Sequence, residues 1–163
     1  MLKSLMTGAA ITLTAMLGAC DSAPAATNAA EPKPVGVSDS LININTVDPY
    51  QLAGVEVLTD AVQDALLLNR PYETPRDLHA IVSKNADAPL QLMIYKKLFV
   101  PVNANSAEEA DIKLVPSVLT PKKLAHEVDE YRPYADMDQF KRELGKYMKP
   151  AEIDALSQYF FVE

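Results

Sequence analysis

A pattern that opens near residue 43 returns near residue 103, and a chain with such a period has to fold as two like units. The first occurrence opens with Asn43-Ile44-Asn45-Thr46, passes through Arg70-Pro71-Tyr72 and closes on Phe99-Val100. The second opens with Asn103-Ala104-Asn105-Ser106, passes through Arg132-Pro133-Tyr134 and closes on Phe161-Val162. The openings lie 60 residues apart and the two later landmarks 62 apart, so two residues separate the copies' lengths before Arg-Pro-Tyr. Copy 1 is residues 41–102 and copy 2 is residues 103–163. Units of about 60 residues bury too little surface to be secure alone. One core shared by both copies is therefore expected.

Within each copy the punctuation predicts helices. Thr46 is placed as the cap of a short helix carrying Pro49 in its first turn, where a missing N–H costs nothing. Thr59-Asp60 starts a second helix with Val62, Ala65, Leu66 and Leu68 or Asn69 on its apolar face. Pro71 disfavours helix for Arg70 and ends it there. Thr74-Pro75 starts a third helix with Leu78, Ile81 and Val82 inward. Pro89 opens a fourth with Leu90, Met93, Ile94 and Leu98 inward. Copy 1 thus reads as four short helices and no strand. Copy 2 repeats the order. Ser106-Ala107-Glu108-Glu109 has the spacing of a capping box. Thr120-Pro121 starts the second helix, with Leu124, Val128 and Tyr131 inward. Asp136 starts the third, with Met137, Phe140 and Leu144 inward. Pro150 starts the fourth, with Ile153, Leu156 and Phe160 inward. The fold class is all-α.

The residues before the repeat read as an address and a tether. Lys3 precedes an apolar run from Leu5 to Leu17, too short to span a bilayer and typical of a signal peptide. The run ends in Leu17-Gly18-Ala19-Cys20, which resembles the bacterial lipobox. The resemblance implies that residues 1–19 are removed, that Cys20 is acylated, and that the membrane is a partner through that lipid. Asp21 follows; in lipoproteins of enteric type an Asp there favours the inner membrane. Residues 20–40, rich in Ala, Pro, Ser and Asn, read as a disordered linker. Cys20 is the single cysteine, so the repeat holds no disulfide.

Charge bears on partners. Copy 1 has 5 basic and 7 acidic residues and copy 2 has 8 and 12, within a chain of net charge −7. Neither copy has the positive balance that draws proteins to nucleic-acid phosphates. A local patch is still available: Lys122 and Lys123 open a helix, and Arg142, Lys146 and Lys149 would share a face if the third helix of copy 2 reached Lys149. The bland account of those residues is a solvated surface. Glu127, Asp129 and Glu130 form an acidic cluster, read as solvated because acid–base chemistry would need burial and a partner. His79 and His126 have no ligand-spaced neighbours, so neither metal nor cofactor is expected. No nucleophile motif is present, and neither an enzyme nor a small-molecule substrate is expected. Arg70 and Arg132 recur at one place, either as charge at a helix end or as a shared partner-binding feature.

The Asn-x-Asn-Thr/Ser opening, two short helices joined by a hairpin, and Pro-Tyr before a further helix resemble the helix-hairpin-helix domain. The likeness is to the type found in competence-related periplasmic DNA-binding proteins, twice over residues 41–163. Asn69-Arg70-Pro71-Tyr72-Glu73-Thr74 also resembles the second half of a related extrinsic photosystem subunit, which does not work on DNA. The resemblance implies DNA-backbone binding through a Gly-apolar-Gly hairpin whose N–H groups face a phosphate, followed by Pro-Lys-Lys at a helix start. The chain departs from that pattern. The copy 1 hairpin, Gly54-Val55-Glu56-Val57-Leu58, has one glycine and a carboxylate. The copy 2 hairpin, Pro116-Ser117-Val118-Leu119-Thr120, has no glycine, though Pro121-Lys122-Lys123 matches. Two functions follow as expectations. The first is a non-catalytic, lipid-anchored, periplasm-facing scaffold that binds an envelope protein. The second is weak, sequence-independent duplex DNA binding through Lys122, Lys123, Arg142 and Lys146.

Overall fold

A computed structural model of the chain describes residues 40–163. The leader, Cys20 and residues 21–39 of the linker lie outside the described residues. The described chain is mainly α, with eight helices and four two-residue strands. In copy 1 the order is β1 (Ile42–Asn43), α1 (Pro49–Ala53), α2 (Asp60–Leu68), α3 (Pro75–Asn85), α4 (Ala88–Tyr95) and β2 (Leu98–Phe99). In copy 2 it is β3 (Val102–Asn103, starting one residue ahead of the boundary read from the sequence), α5 (Glu109–Ile112), α6 (Pro121–Glu130), α7 (Met137–Leu144), α8 (Pro150–Ser157) and β4 (Phe160–Phe161).

The strands correct the reading of copy 1 as strandless. β1 pairs parallel with β2, Ile42 opposite Leu98 and Asn43 opposite Phe99. β3 pairs parallel with β4, Val102 opposite Phe160 and Asn103 opposite Phe161. The opening Asn of each copy thus meets the closing Phe, with all four helices forming the crossover that a parallel pair requires. Two residues carry no alternation, which is why no strand is legible in the sequence.

The other landmarks are fasteners. Asn45 grips the backbone of Tyr72, donating from Nδ2 to its carbonyl at 2.7 Å and accepting its N–H at 2.8 Å. Asn105 grips Tyr134 in the same way, at 2.9 and 2.7 Å. Asn43 and Asn103 each accept the N–H two residues on, at 2.9 Å. The Tyr72 hydroxyl donates to the Leu66 carbonyl and that of Tyr134 to the Val128 carbonyl, both at 2.9 Å. Each phenol thereby satisfies a carbonyl at the end of the preceding helix. Both Arg-Pro bonds, at Pro71 and Pro133, are cis.

Thr59, Thr74, Thr120 and Asp136 cap α2, α3, α6 and α7, each accepting a first-turn N–H. Two expected caps are displaced. Asp48, not Thr46, caps α1, and α5 begins after Glu108 without a side-chain cap, so Ser106 forms no capping box. The cause is the turn before each helix. The Asn43 carbonyl accepts from Thr46 and Val47, and that of Asn103 from Ser106 and Ala107. These turns hold Thr46 and Ser106 two residues short of the cap positions, Asp48 and Glu108.

The buried side chains of both copies form one cluster. Phe99 meets Tyr159 edge-on at 5.3 Å between centroids, and Tyr95 meets Phe99 at 5.7 Å. The Tyr159 hydroxyl donates to the Tyr95 carbonyl at 3.2 Å. Outside that aromatic junction, Asp111 of α5 is buried and accepts from both the backbone N–H and Nε of Arg76 on α3, at 3.1 and 3.0 Å. Two residues expected inside are outside: Leu68 is 84% exposed and Met93 56%. α2 gives its inward arc to Val62 and Leu66, and α4 gives its arc to Ile94 and Tyr95. A turn of 3.6 residues leaves the intervening positions facing water.

Candidate functional site

The hairpins come first, since any phosphate site would sit there. In copy 1 the connector is residues 54–59, between α1 and α2; in copy 2 it is residues 113–120, two longer, between α5 and α6. The copy length difference therefore sits in the hairpin. The copy 2 turn begins ahead of Pro116-Ser117-Val118-Leu119, at Lys113. Gly54 is right-handed, φ −79°, and does not use the positive φ open to glycine. Its N–H is donated back to Gln51, and that of Val55 to Leu52. In copy 2 Leu114 and Val115 donate likewise to Asp111 and Ile112, and Leu119 donates to Ser117 Oγ at 3.1 Å. Pro116 has no N–H. Val55 is buried, and Glu56 projects to solvent. The donors of Gly54, Val55, Leu114, Val115 and Leu119 are thus spent within the turns.

The four candidate cations split into two groups. Lys123 Nζ lies over the Tyr147 ring, 5.0 Å from its centroid, and Lys146 Nζ over the Tyr131 ring at 4.6 Å. The two tyrosine hydroxyls are hydrogen-bonded to each other at 2.9 Å. Glu143 pairs with Lys146 and lies 3.4 Å from Arg142 Nε. Hydrogen bonding to Lys146 holds the Glu143 carboxyl below its ordinary range, and the same bond raises the Lys146 ammonium. Behind this layer Glu127 is buried, correcting its reading as solvated. Hydrogen bonding to Tyr131 and then donation to the Glu127 carboxylate push the Tyr147 phenol well above the ordinary value. Lys122 faces the other way, toward a groove of about 270 Å³ lined by Glu109, Asp129, His126 and Arg132.

Lys149 does not join the face. α7 stops at Leu144, with Gly145 as its C-cap donating its N–H back to the Lys141 carbonyl, and Lys149 instead precedes α8. What remains is a compensated cluster of cations on aromatic faces, with Glu143 inside it.

Arg70 and Arg132 turn inward. Arg70 Nη1 donates to the Val47 carbonyl at 2.9 Å. Arg132 donates to the carbonyls of Ala104 and Ala107, at 2.6 and 2.8 Å, and pairs with Asp129. Burial lowers the Arg70 guanidinium. His79 Nδ1 meets the Tyr95 hydroxyl at 2.7 Å, while His126 lies 3.5 Å from Glu130 in the other copy.

Beside both hairpins lie apolar grooves that the sequence reading missed. One, of about 500 Å³, runs between α4 and the copy 2 hairpin and α8, with Leu41, Leu92, Pro116, Val118, Ala155 and Leu156 in its walls. The other, of about 520 Å³, lies between the copy 1 hairpin and Met93 of α4 with Lys97 of the turn that follows it. Leu92, Met93 and Val118 are all large and exposed. A signal was available: Leu92-Met93-Ile94-Tyr95 is four apolar residues in a row on a helix, and such a run cannot all face one core.

Among known proteins, the chain matches no family model, no curated protein and no solved structure.

Proposed function

We propose that this chain is a non-catalytic protein-interaction or scaffolding module of a bacterial envelope, exported and lipid-anchored through Cys20. In this reading residues 41–102 and 103–163 are two tandem, degenerate helix-hairpin-helix units. The observation that carries it is how the repeat's polar landmarks are spent. The Asn, Arg and Tyr side chains bind the copy's own backbone, and the N–H groups of Gly54, Val55, Leu114 and Val115 are returned to their own helices. Three large apolar side chains, Leu92, Met93 and Val118, face solvent beside the hairpins. Contiguous exposed apolar surface in a groove suits a protein partner. No described helix is long and apolar enough to cross a membrane.

The DNA-backbone reading has less support, because Lys123 and Lys146 already lie on tyrosines and Lys146 on Glu143. The deciding experiment is co-isolation from intact envelope membranes with and without free duplex DNA as competitor. A stoichiometric protein partner that persists with DNA present is expected. A partner displaced by DNA, or DNA alone, would reverse the ranking.

A further inference from the structure

The two arginines of the Arg-Pro-Tyr landmarks are not equally satisfied. In copy 2, Arg132 sets Nε and Nη2 on the carbonyls of Ala104 and Ala107 and Nη1 on the Asp129 carboxylate, at 2.6, 2.8 and 3.0 Å. In copy 1, Arg70 makes one bond, from Nη1 to the Val47 carbonyl, which stands where that of Ala107 stands. Its Nε and Nη2 are buried and meet no acceptor. Burial lowers its guanidinium, and no carboxylate offsets the shift. Buried donors of a cation ordinarily have partners, because leaving water without them is costly. The copies differ at the residues that decide this. With the landmarks 62 residues apart, Asp129-Glu130 of copy 2 falls on Leu67-Leu68 of copy 1. Leu67 thus stands where Arg132 has its carboxylate, and Leu68, 84% exposed, stands where copy 2 has a second acid.

We propose that Arg70 is a carboxylate-binding site, completed by an acidic side chain or chain terminus of a polypeptide partner whose adjoining apolar group covers Leu68. The proposal rests on the interaction-module reading and gives that partner a place and a chemistry. Arg132 shows the completed arrangement. Turning the Arg70 guanidinium into that pose points Nε and Nη2 at the carbonyls of Ile44 and Val47, the counterparts of Ala104 and Ala107, and leaves Nη1 for the incoming oxygen. The bonds gained are charge-assisted, so the carboxylate draws on donors that the free protein leaves unused. A carboxylate suits the site better than a phosphate. One outward nitrogen matches a single negative charge, as Arg132 and Asp129 show. A phosphate dianion would face that one cation beside Asp60 and Asp64 of α2, a helix with no Lys or Arg.

The test places the photoreactive residue benzoylphenylalanine at Leu68 of the full chain in its own cells, with exposed Val118 as the comparison site. Illumination should attach a polypeptide at Leu68, and mass spectrometry should find Asp, Glu or the chain terminus in the attached peptide. Leu67→Asp supplies the carboxylate from within the chain, as Asp129 does, and should lower the yield at least about fivefold relative to Leu67→Asn, the worth of one exposed ion pair. The two variants lose the same leucine, so their difference isolates the charge. In the purified full chain in detergent, Leu67→Asp should melt about 3 °C above Leu67→Asn, and Arg70→Gln should erase that gap. Equal yields for the Asp and Asn variants would overturn the proposal, as would equal melting temperatures, or attachment at Leu68 to lipid, nucleic acid or a second copy. Polypeptide adducts at Val118 without any at Leu68 would remove the Arg70 site and leave the interaction module standing. No polypeptide adduct at either position would remove both.

Discussion

Replacing Asp111 with Ala cuts the buried one of the polar ties between the copies, beside the exposed Arg76–Glu108 ion pair. Asp111 is 3% exposed and accepts two bonds from Arg76, one from the backbone N–H at 3.1 Å and one from Nε at 3.0 Å. The amide bond to a buried carboxylate is worth about 1.5–3 kcal/mol, because the variant leaves that N–H without its acceptor. The ion pair adds at most about 1 kcal/mol, since the Arg76 side chain is 43% exposed and screened by water. Together they predict a loss of about 2–4 kcal/mol, or about 10 °C in melting temperature for a domain of this size. Arg76→Ala keeps the backbone N–H bond, so it should cost under about 1 kcal/mol. Urea unfolding of the wild type, each single variant and the double variant, followed by circular dichroism, gives both costs and their coupling. A loss below about 0.5 kcal/mol for Asp111→Ala, or equal losses for the two singles, would refute the assignment of the junction to the carboxylate–amide bond.

Three further outcomes follow from the same geometry. With Lys146 and Arg142 engaged by Glu143, at most about two cations are open to phosphate, so duplex DNA binding should be about 10⁻⁴ M or weaker with a salt slope near −2; fluorescence anisotropy at two salt concentrations checks it, and micromolar binding lost in Lys122→Glu/Lys123→Glu would favour the DNA reading. Cys20→Ala should abolish incorporation of a labelled fatty acid, and equal labelling of variant and wild type would remove the anchor. Burial pushes the Tyr95 and Tyr159 phenols up to about 12, above the ordinary 10, so the folded state binds more protons between those values and loses stability as pH rises through that window; tyrosinate absorbance at 295 nm should lag in the folded chain relative to the urea-unfolded chain, and superimposed curves would contradict the burial.

How much was legible depended on how local the determinant was. Thr59, Thr74, Thr120 and Asp136 act within one turn, so each start of α2, α3, α6 and α7 is legible from its own capping residue. Asp48 was overlooked because Thr46 has equal capping chemistry and only the Asn43 turn decides between them. The strands were illegible because each meets its partner across a whole copy. At the candidate site, sequence placed the cations but not their neighbours. Tyr131 and Tyr147 lie 16 residues apart, and nothing local shows that their hydroxyls meet or that Lys123 and Lys146 cover their rings. Glu127 looked like its exposed neighbours Asp129 and Glu130 because its burial comes from the packing of other elements over α6.

The pairing of each opening strand with its own closing strand bears on how such a chain could arise. β1 closes on β2 and β3 on β4, so neither copy lends a strand to the other. Each copy is a ring in all but covalent bond, its entry and exit side by side. A segment of that kind can be doubled in frame without re-pairing any strand, because the new copy begins where the old one ends, here across Val100-Pro101 alone. Once doubled, the copies are free to diverge at every place the ring does not use. That is where they differ: one hairpin has lengthened, one Pro-Lys-Lys is present and the other absent, while the Asn, Arg-Pro-Tyr and Phe-Val positions that close the ring stand in both.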